Sequence, residues 1–368
     1  MEVINHSVIP DLVKPGNVYD PLDLLDFNLN FQGRKMLGGS VRFQAQLKSV
    51  VGELEDVKFD CMTGAHGVID SITTNILNVG QVESVQSYSR MHAMIMNATQ
   101  SRNDTMNSYN SCELKAPGDV YTTMFLNQFD TKGQSNYKKD ADFSVKPTFC
   151  LNRFTAVDSD DNSLAFSKSG TVRVSVLLSR VADFLFGDEV TSVSNYQIVN
   201  PRMIFQSIPD DGKQAKLQLR VEHSLKTSIN SADAVISTRV PAVAHGMSMS
   251  FQKTAHESQT GYNNLAQEEL PALSELVFLW NNASNVMVTY TIRDAVEVTD
   301  KYLESLKTSG HNTSNLQMLK ANKSYGVGLD FGTFVNLANQ AFNIQMACGV
   351  SNNTSYTAYM FFHSLIEL

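Results

Sequence analysis

The residues best suited by type to acid–base chemistry are a histidine with an aspartate on either side in the sequence. These are Asp60, His66 and Asp70. A histidine held by a carboxylate can act as a general base or orient a nucleophile. A serine hydrolase of the corresponding kind would also carry its serine in a G-x-S-x-G turn, and the sequence contains none. We therefore interpret His66 as a histidine that packs at the end of a loop or barrel, and we expect no catalytic residues.

Three further patterns resemble functional motifs only in their letters. His245 and His256 lie eleven positions apart without the carboxylate–histidine spacing of a metal site. Asp330–Gly332 spells a kinase tripeptide, but the glycine-rich loop, strand lysine and H-R-D loop of a kinase are missing. Gly326–Gly328 lacks the third glycine of a dinucleotide-binding turn. We expect no metal-binding and no cofactor-binding residues.

Composition excludes two broad classes of protein. The chain has 368 residues with 29 Lys+Arg against 37 Asp+Glu, a net charge of −8, and 42% hydrophobic residues. It is too acidic for a protein that coats nucleic acid and too apolar for one that is mainly disordered. The four cysteines, Cys61, Cys112, Cys150 and Cys348, form no C-x-x-C pair, so we expect reduced thiols and no disulfide framework.

Charge and hydropathy along the chain also bear on partners. Lys132, Lys138 and Lys139 are interspersed with aspartates, and no arginine-rich arm is present, so we expect no specific nucleic-acid binding. No run approaches the roughly 20 apolar residues of a membrane span. The first residues lack the basic and apolar regions of a signal peptide. We therefore expect synthesis inside a cell.

The dominant pattern is an alternation of apolar and polar residues with a period of two. This pattern is typical of strands with one face in a core, and antiparallel sheets allow that arrangement. It predicts an all-β protein. The clearest segments are Ser40–Lys48, Thr171–Val176, Leu217–Val221, Met247–Gln252, Val286–Arg293 and Phe342–Met346.

Helical signals are few and short. Thr299–Lys307 begins with a capping threonine and ends before Gly310, and it predicts one helix. Weaker helical patterns cover Gln86–Met96 and Phe334–Asn339. These segments are too sparse for alternating strand–helix units, so we expect small helices in the loops of an all-β fold.

Long polar segments separate the predicted strands. They span residues 97–116, 127–142 and 257–269, and loops of this length often form interaction surfaces. Residues 1–30 carry three prolines and scattered leucines. We interpret them as an N-terminal arm that lies outside the core and orders against a neighbour or an inner layer.

The chain also shows a weak internal duplication, which predicts two similar β domains side by side. The turn at Pro209–Gly212 would separate a first domain, residues 31–209, from a second, residues 210–368. The paired features, at offsets of 179, 165 and 160 positions, are Ala65–Gly67 with Ala244–Gly246, Leu164–Phe166 with Leu329–Phe331, and Tyr196 with Tyr356.

Four stretches carry a resemblance to a known family. They are Phe59–Asp60 with Gly64–Asp70, Leu270–Leu276, Gly328–Gly332 and Asn200–Phe205. Together with the two β domains, they resemble the double-jelly-roll major capsid proteins of tailless icosahedral DNA viruses, the group that includes polinton-like viruses and virophages. The resemblance extends from about Leu22 to Leu368.

The resemblance implies an architecture and a set of partners. It implies two tandem eight-stranded jelly rolls with short helices in the loops. Three copies would form a homotrimer, a pseudo-hexameric capsomer that tiles an icosahedral shell. Neighbouring capsomers, penton proteins, minor capsid proteins and an inner membrane are the further partners implied. The protein would be made in the host cell interior and reside in the virion, with the loops at 97–116 and 257–269 meeting neighbouring subunits.

Two other functions are compatible with an all-β chain. A carbohydrate-binding β-sandwich, like a lectin, would expose aromatic residues to sugar, and the single tryptophan, Trp280, instead lies in an apolar run. An all-β hydrolase would bring carboxylates or a Ser/His pair together in a cleft, which no local spacing indicates.

Overall fold

The fold is described from a computed structural model. The described residues are 2–31, 33–49, 58–60, 63–99, 113–114, 125–126, 148–158, 164–186, 195–212, 218–230, 233–238, 243–265, 273–282, 285–292, 295–308, 326–336, 341–348 and 355–367.

Strands dominate this part of the chain. The strands are β1 Ile4–Val8, β2 Val18–Tyr19, β3 Leu24–Leu29, β4 Arg34–Met36, β5 Arg42–Ser49, β6 Lys58–Asp60, β7 Ile69–Ile76, β8 Gly80–Val85, β9 Phe125–Leu126, β10 Thr148–Asn152, β11 Leu164–Ala165, β12 Val172–Leu178, β13 Leu185–Phe186, β14 Tyr196–Pro209, β15 Gln218–Ile229, β16 Asp233–Thr238, β17 Val243–Lys253, β18 Leu273–Asn282, β19 Asn285–Ile292, β20 Val327–Asn336, β21 Ala341–Cys348 and β22 Tyr356–Glu367. The α-helices are α1 Tyr88–Thr99, α2 Phe166–Ser169, α3 Val181–Phe184 and α4 Ala295–Thr308, and short 3-10 turns span Pro15–Asn17, Gly64–Val68 and Thr254–His256.

The second half of the chain forms a jelly roll. Its eight strands divide between two sheets with the orders β20-β17-β22-β15 and β16-β21-β18-β19. If β15 to β22 are numbered 1 to 8, the two sheets have the orders 6-3-8-1 and 2-7-4-5. The chain therefore crosses repeatedly from one sheet to the other. Such antiparallel double sheets bury their facing sides against each other, which accounts for the period-two alternation of the sequence.

The first half repeats the same strand order. One sheet runs β10-β5-β14, with β1 and β2 pairing to the far side of β14, and the other runs β3-β12-β7-β8. If β1 and β2 together count as the first strand, the remaining seven are, in order, β3, β5, β7, β8, β10, β12 and β14. The two sheets then again have the orders 6-3-8-1 and 2-7-4-5. The fold is therefore all-β with two tandem eight-stranded jelly rolls and short helices in the loops, as the family resemblance implied. Tyr196 and Tyr356 begin the equivalent last strands, β14 and β22.

The other paired features of the sequence do not occupy equivalent positions. Ala65–Gly67 lies in the turn before β7, the fourth strand of its jelly roll, whereas Ala244–Gly246 lies within β17, the third. Leu164–Phe166 precedes the seventh strand, and Leu329–Phe331 belongs to the sixth. Connections of unequal length separate the strands in the two halves, so no constant offset relates them.

Two hydrophobic cores fill the jelly rolls, and β22 contributes to both. Ala358, Met360 and Phe362 point into the core of the second jelly roll. Tyr359 and Phe361, on the opposite face, join the core of the first. Because successive side chains of a strand alternate between faces, one strand can serve two cores only where both faces of the sheet are covered. β22 is buried along most of its length.

The sequence located six of the strands and the two longest helices. The alternating segments correspond to β5, β12, β15, β17, β19 and β21, and the two better helical patterns correspond to α4 and α1. Met247–Gln252 differs from the expectation because both of its faces are buried. The helix predicted at Phe334–Asn339 is wrong for its first three residues, which continue β20 to Asn336; residues 337–339 lie outside the described part.

The N-terminal segment corrects the expectation of an arm outside the core. β1 and β2 pair with β14, and β3 pairs with β12 as a strand of the long sheet. Leu25, Phe27 and Leu29 are fully buried. The prolines lie between these strands, where they interrupt no sheet hydrogen bonds. The three strands are too short, and too often separated by prolines, to show a recognisable alternation in the sequence. The domain divisions at 30/31 and 209/210 stay predictions.

Helix α4 packs closely on the long sheet through glycines. A side chain at Gly328 would meet Ser305 Oγ at 2.0 Å, and one at Gly326 would meet the Tyr302 ring at 2.2 Å. Tyr302 donates a hydrogen bond to the Met94 carbonyl at 3.3 Å, which joins α4 to α1. None of the described helices has the length and apolar character needed to cross a membrane.

Adjacent leucines in β3 test its place in the core. Leu25 is 0% exposed and Leu24 is 54% exposed. We expect Leu25→Ala to lower the free energy of unfolding by about 2–5 kcal/mol, because it leaves a cavity, and Leu24→Ala to change it by less than about 0.5 kcal/mol. Urea unfolding followed by circular dichroism measures both. Equal effects of the two substitutions would contradict the assignment of β3 to the core.

Candidate functional site

His66 is a structural histidine. It lies in the turn Gly64–Val68 and is 1% exposed. Its Nδ1 lies 3.0 Å from the Tyr88 hydroxyl, its Nε2 lies 3.8 Å from Glu113 Oε1, and its ring stacks on His92 with the centroids 3.8 Å apart. Burial raises the pKa of Tyr88 well above its usual value. This arrangement fixes the turn before β7 against α1, as expected for a packed histidine.

The two aspartates that flank His66 in the sequence have other partners. The Asp60 carboxylate accepts hydrogen bonds from the Thr63 N–H at 2.8 Å, from the Thr63 hydroxyl at 2.9 Å and from Asn263 Nδ2 at 2.9 Å. Asp70 lines a cleft between the two jelly rolls. The three residues are thus distributed between a turn, a buried stack and a cleft.

The remaining histidines of the sequence motifs also have structural partners. His245 Nε2 lies 2.6 Å from the Thr308 carbonyl oxygen, which joins β17 to the end of α4. His256 stacks on Tyr262 with the ring centroids 4.0 Å apart. Within the described ranges, no group of three or more His, Cys, Asp and Glu side chains has the geometry to hold a metal ion.

The kinase-like and glycine-rich tripeptides belong to strand β20. The Asp330 carboxylate accepts a hydrogen bond from the Gly332 N–H at 2.8 Å, and Gly332 has a φ of +67°, so Asp330–Gly332 forms a local bend. Gly326 and Gly328 allow α4 to approach the sheet. Cys150 is half-buried and forms no disulfide within the described residues. Cys61, Cys112 and the lysines at 132, 138 and 139 lie outside the described residues.

The long sheet joins the two jelly rolls into one layer. It has eight strands in the order β20-β17-β22-β15-β8-β7-β12-β3, and the only parallel contact on this path joins β8 to β15 at Ser84 and His223. The Gln86 N–H beside this contact donates a hydrogen bond to the Ser224 hydroxyl. We refer to this junction as the seam. Its outer face is the face of the sheet that points away from the core of the second jelly roll and carries Tyr359.

A buried arginine organises the outer face of the seam. Arg90, in the first turn of α1, donates hydrogen bonds to Gln252 of β17 and to the Asn264 carbonyl oxygen. Its guanidinium carbon lies 4.3 Å from the centre of the Tyr359 ring in β22. The Tyr359 hydroxyl donates to Glu257 at 2.8 Å. A buried cation with both hydrogen bonds and an aromatic face fixes the relative position of the elements that provide them.

The segment after β17 crosses from the second jelly roll onto the first. Arg180 of the first half donates to the Ser258 hydroxyl at 2.9 Å, and Asn264 Nδ2 donates to the Ala182 carbonyl at 2.6 Å. Leu265 is buried beside Gly67. Residues 263–265 of the loop at 257–269 thus pack within the chain, and the expectation that this loop meets neighbouring subunits stays a prediction. Most of the loop at 97–116 lies outside the described residues, and Glu113 and Leu114 are buried.

Glu83 is a buried carboxyl next to the seam. Its Oε2 accepts hydrogen bonds from the Thr74 hydroxyl at 2.8 Å, from the Thr155 hydroxyl at 3.0 Å and from the Ala156 N–H at 3.0 Å. The pKa of Glu83 is raised to about 7, because burial and, to a smaller extent, the Glu222 charge outweigh the three hydrogen bonds, which lower it. Glu222 itself lies 2.6 Å from His363 Nδ1.

Exposed apolar side chains are concentrated near the N-terminus. Among the described residues, six of the eleven large apolar side chains that are exposed lie between residues 3 and 24. These six are Val3, Ile9, Leu12, Val13, Leu22 and Leu24. Single exposed apolar residues are normal, but a concentration of them is typical of a surface that another molecule covers.

Comparison with solved structures agrees with this architecture. The Faustovirus major capsid protein matches with a TM-score of 0.64 at 8% identity over 100% of this chain and 90% of its own. A model of the PBCV-1 virus capsid matches at 0.61, with 8% identity over 100% and 94%. The mavirus major capsid protein matches at 0.52, with 10% identity over 99% and 90%. No family model matches the chain, and no curated protein does.

These matches establish the fold. The chain is a double jelly roll, and the matches to these capsid structures span nearly its whole length. The residues that define the seam, Arg90, Tyr359 and Glu83, were not identified from the sequence. Their partners lie far apart in the chain, so no local spacing indicates them.

The pH dependence of stability tests the burial of Glu83. The unfolded chain loses this proton near pH 4.5 and the folded chain near pH 7, so the contribution of Glu83 is full below about pH 4.5 and is lost as the pH rises through 7. We expect a decrease of about 3 kcal/mol across this interval in the wild type relative to Glu83→Gln. Urea unfolding at a series of pH values measures it. Glu2→Gln, at an exposed position, should keep the wild-type slope; a wild-type slope in Glu83→Gln would refute the assignment.

Proposed function

We propose that this chain is a major capsid protein, a structural subunit of an icosahedral virus shell. The observation that carries the proposal is the repeated 6-3-8-1 and 2-7-4-5 strand order in two jelly rolls joined through one sheet. The same fold, over nearly the full length, is that of the Faustovirus and mavirus major capsid proteins. The protein would reside in the capsid of the virion and be made in the host cell interior.

The repeated topology supports a trimeric capsomer. Three copies related by a closed three-fold axis would present six jelly rolls of similar shape, which gives a nearly hexagonal outline from a three-fold assembly. Such a unit packs among six neighbours, and this is the requirement for tiling most of an icosahedral shell. The partners in this proposal are two further copies in the trimer and adjacent capsomers, with penton and minor capsid proteins at special positions and an inner membrane as a further layer.

The proposal assigns no reaction to the chain. The groups that could have performed acid–base chemistry, Asp60 and His66, serve a turn and a buried stack. The carbohydrate-binding alternative receives no support from the aromatic residues. Tyr262 is the exposed aromatic side chain among the described residues, and it stacks on His256.

Oligomeric state gives the first test. We expect the purified protein to elute as a species of three times the 40.7 kDa chain mass in size-exclusion chromatography with light scattering. Negative-stain images should show particles with a nearly hexagonal outline. A strict monomer at high protein concentration, together with an absence of particles, would contradict the capsid proposal.

The apolar N-terminal surface gives a second test. We expect Leu12→Ser/Val13→Ser to leave the thermal midpoint of the subunit within experimental error, because both side chains are exposed, and to reduce the yield of trimers or particles. Val235→Ser, at an exposed position on β16, is the matched control and should assemble normally. Wild-type assembly of the double variant would show that this surface stays uncovered.

A further inference from the structure

A cleft of about 460 Å³ opens where the two jelly rolls meet. Its walls come from β7, the first turn of α1 and α3 in the first half, and from β15 and β22 in the second. Nothing in the proposed capsid role requires a cleft at this position. Its lining combines charged groups, hydroxyls and leucines, and the state of each group indicates what the cleft can bind.

The cations at the cleft are already paired. Arg180 makes two hydrogen bonds to Asp183, at 2.6 and 3.1 Å. Lys226 Nζ lies 3.3 Å from Glu257 Oε1. Arg90 is committed to the seam through its hydrogen bonds and the Tyr359 ring. An anionic ligand would have to displace one of these contacts, so the cleft is poorly suited to bind an anion.

Asp70 is the charged group of the lining that has no such partner. Its carboxylate is half-buried, accepts no hydrogen bond and makes no ion pair within the described residues. Burial, followed by the Asp183 charge, raises the pKa of Asp70, although Arg180 and Lys226 act to lower it. The two cations therefore leave the Asp70 carboxylate incompletely compensated, and an added cation would stabilise its charged form.

The uncharged groups of the lining restrict the shape of that cation. Ser89 is 3% exposed and lines the cleft. Leu22, Leu177 and Leu265 supply apolar walls. A serine hydroxyl that lines a cleft can accept a hydrogen bond from a bound ammonium group. Methylene groups pack favourably on leucines, whereas a hydrated metal ion cannot use them.

We propose that the cleft binds an alkylammonium group, with the ammonium on Asp70 and Ser89 and its methylene chain against the leucines. The ligand has two sources with the same chemistry: a free polyamine, or a lysine side chain of a second copy of this chain. In either case the amine would contact β7 and α1 of the first jelly roll, and its methylene chain would also contact Leu265 in the segment that follows β17. The inference concerns a ligand and does not depend on the capsid proposal.

Calorimetric titration with spermidine tests the site itself. The wild type should bind spermidine, and Asp70→Asn should weaken binding by about tenfold or more, since it removes a charge-assisted hydrogen bond. Asp300→Asn makes the same charge change at an exposed position of α4 and should bind as the wild type does. Magnesium chloride at equal ionic strength should not reproduce the heat of binding. Thermal midpoints of both variants establish that they are folded.

Cross-linking identifies a lysine as the source. A carbodiimide joins a carboxylate directly to an amine that contacts it, so treatment of the assembled protein followed by peptide mass spectrometry should reveal a bond between Asp70 and a lysine from another copy. This product, absent in Asp70→Asn, would assign the site to the neighbouring chain. Selective spermidine binding without the product would assign it to free polyamine. Equal spermidine binding by wild type and Asp70→Asn, or no binding together with no Asp70 cross-link, would overturn the proposal.

Discussion

The hydrogen-bonded continuity of the eight-stranded sheet is the constraint on which the rest of the structure depends. One parallel contact between β8 and β15 makes a single layer from strands of two jelly rolls. Side chains then alternate across that layer, so that Phe361 and Phe362, adjacent in β22, reach different cores. Neither jelly roll can shift relative to the other without breaking the seam or exposing both cores.

The outer face of the seam extends this constraint to the loops. Arg90 binds groups from β17, β22 and the segment that follows β17, and Tyr302 of α4 reaches Met94 of α1. The two long helices occupy equivalent positions after the fifth strands of their jelly rolls. The two jelly rolls share one topology, but the contacts of α1 and α4 differ, because each helix packs on a different surface. Such contacts fix one arrangement of the two halves.

Local patterns in the sequence predicted the fold class but only part of the site. Alternation identified β5 and β12 because each has one buried and one exposed face. β3 was missed because prolines isolate it in a short segment, and β17 was misjudged because its outer face is also covered. Arg90 and Glu83 gave no signal, since their partners lie distant in the chain. The sequence drew attention to Asp70 as a possible partner of His66, but in the structure Asp70 lines the cleft and forms no hydrogen bond with that histidine.

The double use of β22 has a consequence for biosynthesis. Translation proceeds from the N-terminus, so β22 emerges from the ribosome after every other strand described here. Until then the layer lacks its central strand in the second half, and Tyr359 and Phe361 are absent from the core of the first half. A nascent chain therefore exposes incomplete cores in both halves until β22 has been made and has entered the sheet.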